Sequence, residues 1–278
     1  MQRRWPTVTG VGFLALVLLA TPGVAQAPLG YVRARGATVT PAYEGWYPNP
    51  DGTLTQSWGF YNRNSEEVLE IPHGPDNFIE PAEFDGLQPT HFTPGRQWGA
   101  FGIVVPADYD GPPVRWTLKI RGKTFSIPAN LTADWKVDAL EGEADGNAPP
   151  ELAFAEAGPW VPGPGGQMGT GDARVGESTR LRIWARDDGA ASVGLGGGRE
   201  GVPVTLTWFK HSGPGAVTFE PDSAEVDHQG GVMETTAVFD EPGEYVLRVR
   251  ANDASGVSGA GHAQCCWTNA FLRFSVSK

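Results

Sequence analysis

The chain has 278 residues, including 38 Gly, 24 Pro and 10 Trp, and its formal net charge is −11 at pH 7. A protein this acidic has no electrostatic attraction for nucleic acid or anionic lipid, which argues against both as partners. The glycines and prolines favour turns and the aromatic residues argue against disorder, so short apolar runs between turns predict an all-β chain.

Residues 1–25 have the features of a signal peptide. Two arginines precede an apolar stretch, residues 11–20, which is too short to span a bilayer comfortably. Gly23 and Ala25 fit the −3 and −1 positions of a signal-peptidase site, which predicts cleavage between Ala25 and Gln26. We therefore expect a secreted or periplasmic protein with no membrane span in the mature chain; an uncleaved N-terminal anchor is the alternative.

Alternating apolar residues predict antiparallel strands in the first part of the mature chain. In residues 114–120 every second side chain is apolar and the others are polar, as in a strand with one buried face. The turn residues around Gly122 then predict a hairpin, and similar alternation occurs in 54–60 and 101–105. The sequence predicts an immunoglobulin-like or fibronectin-like β-sandwich over residues 26–137.

The composition changes after this first domain. Residues 138–150 are acidic and contain few large apolar side chains, which predicts an interdomain linker. Residues 158–172 are rich in Gly and Pro and predict a loop near the start of a second domain, residues 151–278.

The second domain repeats the alternation of strands and resembles a PKD-type immunoglobulin-like domain over residues 175–278. In that family, a strand with a core Trp leads to a Gly-Pro-Gly turn, and a later Pro-Gly-x-Tyr corner opens a strand that ends at an Asp-rich loop. The matching residues are Trp208, Gly213, Pro214, Gly215, Val217, Phe219, Pro242, Gly243, Tyr245 and Asp253. The resemblance implies a seven-stranded, typically extracellular sandwich that acts as a spacer or contacts proteins or glycans. The predicted fold is therefore two immunoglobulin-like antiparallel β-sandwich domains in tandem.

The two cysteines, Cys265 and Cys266, are neighbours in sequence. A bond between them would form a strained eight-membered ring, and an exported compartment favours oxidation, so a vicinal disulfide beside Trp267 is one interpretation. A second is that one thiol packs in the core while the other is free or joins a second chain. A third is a soft-metal site with His262, which would need a turn to bring both sulfurs to one side.

Asp187, Asp188 and Asp253 end two predicted strands and are candidates for a calcium site at one pole of the second domain. Calcium takes six to eight oxygen ligands, and few carboxylates are available here. Solvated turn residues explain the same pattern.

Aromatic residues are concentrated between residues 43 and 101 of the first domain. Exposed rings on a rigid sheet can stack on sugars, and Trp46 and Trp98, beside turn residues, are the candidates for contact with a glycan. Small sandwiches also use tryptophan in the core, and the alternation assigns Trp58 there.

The sequence contains no motif for a catalytic site or a phosphate-binding loop. His73, His91, His211 and His228 have no regular spacing and are interpreted as surface or hydrogen-bonding residues. We therefore predict a non-catalytic binding or structural module without a cofactor, which recognises a protein partner or a cell-envelope component through loops 189–201 and 255–268. The alternatives are a carbohydrate-binding module that uses the aromatic residues of the first domain, and a metal or redox accessory protein that uses His262 and the cysteines.

Overall fold

The structure is a computed structural model, which describes residues 33–138, 140, 147–190, 201–253 and 266–278. Strands account for most of the described chain, and two short 3-10 turns, Ala82–Phe84 and Ala133–Trp135, are its helical elements. No helix in these ranges is long and apolar enough to cross a membrane.

The first part of the described chain forms a β-sandwich. Its strands are β1 (Val39–Pro48), β2 (Leu54–Asn62), β3 (Leu69–Glu70), β4 (Asn77–Glu80), β5 (His91–Phe92), β6 (Gly95–Val105), β7 (Arg115–Ile120) and β8 (Lys123–Pro128). One sheet has the order β1-β2-β6 and the facing sheet the order β4-β7-β8, while β3 pairs with β5. All of these pairs are antiparallel.

The second part forms a larger sandwich. Its strands are β9 (Glu151–Ala153), β10 (Val161–Pro162), β11 (Gln167–Arg174), β12 (Thr179–Arg186), β13 (Val204–Ser212), β14 (Val217–Glu220), β15 (Ser223–Val226), β16 (Gly231–Phe239), β17 (Gly243–Asn252) and β18 (Trp267–Ser277). The two five-stranded sheets have the orders β10-β9-β12-β16-β14 and β11-β18-β17-β13-β15. The pairs are antiparallel except β11 with β18, which is parallel. The prediction of two tandem immunoglobulin-like sandwiches in an all-β chain is confirmed.

Each sandwich buries the apolar faces that the alternation predicts. Trp58, Trp116 and Phe101 lie in the core of the first, and Trp208 and Tyr245 in the core of the second. A fully buried aromatic or aliphatic side chain contributes roughly 1.5–3 kcal/mol relative to exposure, so these alternating residues supply the main free energy of folding.

The prediction of a loop over residues 158–172 is wrong where β10 and the first six residues of β11 form strands. The glycines misled the prediction because they look like turn residues. A Cβ on Gly169 would lie 2.7 Å from Leu272, and one on Gly171 would lie 2.7 Å from Phe274. These glycines therefore let core side chains pack against the backbone of an edge strand.

Gly213, Gly215 and Tyr245, three of the residues that carry the PKD resemblance, form a compact corner. The hydroxyl of Tyr245 donates a hydrogen bond to the Glu241 carbonyl (2.8 Å) and accepts one from the Gly215 N–H (3.0 Å). Gly213 has a φ of 138°, and a Cβ there would lie 2.2 Å from the Tyr245 ring. Only glycine fits this position, because any side chain would strain the backbone at this φ and would displace the buried ring of Tyr245.

Candidate functional site

The sheet β11-β18-β17-β13-β15 has two faces, and the first sandwich covers much of the outer one. Residues 33–278 accordingly form one compact unit. Phe271 on β18 is 6% exposed and belongs to the hydrophobic cluster of the first sandwich, against which Val246 on β17 also packs. A sheet face that alternation alone would leave in water is thus buried between the two sandwiches. We call this contact the inter-sandwich interface.

One glycine of β6, Gly99, lies against β18 in the interface. The register between β2 and β6 shifts where residues 98–100 oppose Gly59, and Gly99 has a φ of 46°. A Cβ on Gly99 would lie 2.1 Å from Nε1 of Trp267. Asn269 donates hydrogen bonds from Nδ2 to the carbonyls of Gly99 (2.7 Å) and Pro164 (2.8 Å). The bulge therefore places the bare backbone of β6 against β18.

A buried carboxylate holds the same bulge from the other side. Glu44 accepts hydrogen bonds from the backbone N–H of Gly99 (2.6 Å), the guanidinium of Arg96 (2.6 Å) and the hydroxyl of Ser57 (3.2 Å). Burial raises the pKa of Glu44 to about 7, although Arg96 and the other donors oppose the shift. Near neutral pH, a proton therefore binds to this carboxyl more readily than to an exposed one.

Two arginines of β17 lie in the interface beside one aromatic ring. The guanidinium carbon of Arg248 is 4.4 Å from the centre of the Phe209 ring, and that of Arg250 is 5.2 Å from it. Arg248 is 3% exposed, and its Nη2 lies 3.5 Å from Oε1 of Gln97. Burial lowers the pKa of Arg248 to about 9, with repulsion from Arg250 in the same direction and attraction from Glu44 opposing it. Both arginines stay charged at pH 7 and bind the ring through cation–π contacts.

His211 of β13 connects the two sandwiches through backbone groups. The N–H of Thr90 donates to the His211 carbonyl (3.0 Å), and Nε2 of His211 hydrogen-bonds to the carbonyl of Leu87 (2.9 Å). The imidazole packs edge-on against Phe101 and Phe271. Burial lowers the pKa of His211 to about 3, aided by the positive charge of nearby groups, so the ring is neutral at physiological pH.

The neighbouring residue carries an ion pair across the interface. Nζ of Lys210 lies 3.2 Å from Oε1 of Glu70, which also contacts Nδ1 of His91 at 2.6 Å. Desolvation raises the pKa of Glu70, but its bonds and attraction to His91 and Lys210 outweigh this and lower the pKa overall. The attraction between Glu70 of the first sandwich and Lys210 of the second therefore stabilises the interface.

Clefts run along the boundary between the sandwiches. One, of about 540 Å³, is lined by residues of both sandwiches, among them Glu70, His73, Glu244 and Arg273. A smaller one, of about 140 Å³, borders His211. In the described ranges, no group of three or more His, Cys, Asp and Glu residues is arranged to hold a metal ion. The linings of these clefts therefore combine charged and apolar side chains.

The structure places part of the predicted calcium site. Asp187 follows β12 and Asp253 follows β17; burial raises the pKa of Asp187 to about 7, and Asp188 and Asp253 add repulsion in the same direction. Asp253 is 1% exposed and accepts a hydrogen bond from Nδ2 of Asn147 (2.6 Å). The carboxylates of the two strand ends are thus close enough to interact, and the calcium site stays a prediction.

The tryptophans predicted to contact glycans are both partly exposed. Nε1 of Trp46 donates to the Thr132 carbonyl (2.9 Å), and the guanidinium carbon of Arg96 lies 4.1 Å from the centre of the Trp98 ring. Trp46 lies on β1 and Trp98 on β6, the two outer strands of the sheet β1-β2-β6, so β2 separates them. Contact of either ring with a glycan stays a prediction.

The cysteine segment is described only from Cys266 onward. Cys266 is 2% exposed, carries no free thiol, and its sulfur lies 3.6 Å from the carbonyl oxygen of Asn147. Cys265 and His262 lie outside the described residues, so the vicinal disulfide and the soft-metal site stay predictions.

We expect the intact protein, purified without reductant, to have a mass lower by two hydrogen atoms than that of the dithiol, because Cys266 carries no free thiol and Cys265 is the other cysteine of the sequence. Mass spectrometry after treatment with iodoacetamide, with and without prior reduction, measures this. Alkylation of the unreduced monomer would contradict the vicinal disulfide.

Comparisons with known proteins concern the sandwich architecture. No protein-family model matches the chain, and no curated protein matches it significantly. Among solved structures, it is similar to the PapD-like domain 7 of human CEP192, at 9% identity over 54% of this chain and 98% of that one, with a TM-score of 0.29. It is also similar to the D00-D0 domain of intimin (12% identity, 85% and 99%, TM-score 0.25) and to the titin domains z1z2 solved with telethonin (13%, 87% and 98%, TM-score 0.24). At these identities, the likeness extends to the fold alone.

Neither Glu44 nor Arg248 is identified from the sequence, and the burial of His211 is not predicted from it. Arg248 alternates with core residues of β17 and so looks like a solvent-exposed side chain. His211 is correctly interpreted as hydrogen-bonding, but its burial is not predicted. A polar face becomes an interior surface only when a second domain covers it, and the sequence pattern of one strand carries no signal of that.

Proposed function

We propose that the protein is an exported, non-catalytic binding or structural module, which recognises a protein partner or a cell-envelope component. The observation that supports this most is the inter-sandwich interface. Two of its buried polar side chains bond to backbone across the boundary, His211 to the Leu87 carbonyl and Asn269 to the Gly99 carbonyl, while Glu44 bonds the N–H of Gly99 from within the first sandwich. Such groups hold two sandwiches in one orientation, which is the property of a rigid platform for recognition.

The platform would present its two predicted contact loops at one pole. Loop 189–201 leads into β13, and loop 255–268 leads from β17 into β18, where its last two residues, Trp267 and Thr268, are buried strand residues. Thr205 of β13 pairs with Asn252 of β17. The described ends of both loops therefore meet at the same end of the second sandwich. The repulsion between Asp187 and Asp253 agrees with this proximity. The corner around Tyr245 also supports a PKD-type domain for residues 175–278.

A crosslinking experiment in the producing cells tests this proposal. A photo-crosslinking amino acid replaces Leu195 in one loop or Val257 in the other, and the full chain with its leader is expressed. Because the loops would contact the partner, we expect both positions to give the same discrete higher-mass product. Val68, which is 41% exposed in the first sandwich, is the control position and should give none.

Two results would count against the proposal. One is crosslinking of equal strength at all three positions, which would indicate random collision. The other is the absence of any product while the protein is folded and exported, as shown by far-UV circular dichroism and fractionation.

A further inference from the structure

The strand β11 is an open edge of its sheet. It pairs with β18 on one side, and on the other side it has no neighbouring strand within the described chain. Four of its side chains, at alternate positions, are exposed: Met168, Thr170, Asp172 and Arg174. An edge strand with free backbone groups can pair with another strand, and many proteins prevent this with prolines, bulges or short edges. Eight residues of β11 are regularly paired to β18 without a bulge.

The backbone groups of the exposed residues point to the open side. The N–H of Val175 donates to the Ser277 carbonyl, and the hydroxyl of Ser277 donates to the Ala173 carbonyl (3.4 Å). The backbone N–H and C=O groups of the odd-numbered residues of β11 therefore point toward β18. Because N–H and C=O groups alternate sides along a strand, those of Asp172 and Arg174 face outward. The carbonyl of Arg174 also accepts the N–H of Glu177 (3.2 Å), and its second lone pair remains for another donor.

There is room for a further strand beside this edge. One cleft, of about 620 Å³, lies between β11 and the residues Thr179–Arg182 of β12. A second cleft of about 620 Å³ borders Asp172, Arg174 and Ser275. On that side β12 pairs with β9 only from Trp184 to Arg186, which leaves the cleft unfilled.

From this edge we propose that β11 is a self-association surface, on which the β11 strand of a second copy pairs antiparallel about a twofold axis at Ala173. This register places Asp172 of each copy opposite Arg174 of the other, which gives two oppositely charged cross-strand pairs and four backbone hydrogen bonds. An axis at Asp172 would instead place two carboxylates opposite each other, and an axis at Gly171 would leave both charges without opposite partners. Oppositely charged residues directly across a strand pair stabilise it, and like charges destabilise it.

The side chains at the axis are small enough for this pairing. Ala173 faces its own copy in a non-hydrogen-bonded pair, in which Cα atoms approach to about 4.5 Å. The next pair on that face joins Gly171 to Val175. The partner here is a second copy of the chain, which is independent of the partner recognised by the loops in the proposed function.

A charge-exchange experiment tests the register. Sedimentation velocity of the mature chain, from Gln26, is measured over a concentration series for the wild type, Asp172→Arg, Arg174→Asp and the double variant. Each single variant places like charges opposite each other twice, so its dimer dissociation constant should rise at least about tenfold. The double variant restores both pairs and should return close to the wild-type constant. Far-UV circular dichroism and melting curves confirm folding of each variant.

Hydrogen exchange provides a second measurement. The amides of Asp172 and Arg174 should exchange more slowly as the protein concentration rises, while those of β15, the edge at the other end of the same sheet, should not respond. A wild type that stays monomeric at several hundred micromolar would overturn the proposal and would indicate that the charges keep the edge free of partners. Dimerisation of equal strength in all four proteins would also overturn it.

Discussion

Replacing Gly99 by alanine should lower the free energy of unfolding by about 3 kcal/mol. Alanine in the left-handed region costs roughly 1–2 kcal/mol, and forcing a methyl group into a packed contact costs roughly 1–3 kcal/mol more. The methyl group would lie 2.1 Å from Nε1 of Trp267, whose ring is 2% exposed and has little room to move. Urea unfolding, followed by tryptophan fluorescence and circular dichroism, measures the change.

Gly52→Ala is the matched control. Gly52 also has a positive φ (86°), but a Cβ there would meet no atom within 4 Å. Gly52→Ala should therefore show only the backbone cost of roughly 1–2 kcal/mol. If the two variants lose the same stability, the contact of Gly99 with Trp267 does not hold the interface.

The same experiment measures the coupling of the two sandwiches. In the wild type, the buried contacts of Gly99, His211 and Asn269 should make both sandwiches unfold in one transition. In Gly99→Ala, the weakened interface should separate the fluorescence and circular-dichroism transitions, because each sandwich has its own hydrophobic core. Domains that pack weakly against each other usually move relative to each other. A single unfolding transition of the wild-type protein would therefore support the rigid platform.

Local pattern was sufficient to predict most strands, because the alternation in residues 114–120 or 245–249 reports directly which side faces a core. It failed at β11, where glycines serve close packing rather than turns. Local alternation also could not predict the interface, because the burial of Arg248 and His211 depends on contacts with residues more than 100 positions away in sequence. The residues that the sequence marked as chemically interesting, such as Trp46 and Asp188, lie instead outside the interface.

Two buried groups of the interface, Glu44 and His211, should make the free energy of unfolding depend on pH in opposite directions. The folded pKa of Glu44 is about 7, above its usual value of 4.5, so between these values the folded protein binds more protons than the unfolded chain. The contribution of Glu44 to stability therefore rises as the pH falls from 7 to 5. The folded pKa of His211 is about 3, below its usual 6.5, so its contribution falls over the same interval. Each change is on the order of 2 kcal/mol, and the two nearly cancel.

Single substitutions should reveal each slope. Glu44→Gln removes the rising contribution, so on going from pH 7 to pH 5 this variant should lose about 2 kcal/mol relative to the wild type. His211→Gln keeps a donor for the Leu87 carbonyl but removes the titration, so it should gain about 2 kcal/mol relative to the wild type over the same interval. The difference between variant and wild type isolates each group, because Asp187 and the other carboxyls titrate equally in both. Urea titrations at pH 5, 6 and 7 measure these differences. A His211→Gln difference that does not change with pH would show that the ring accepts a proton as readily in the folded protein as in the unfolded chain, and that the interface does not exclude water from it.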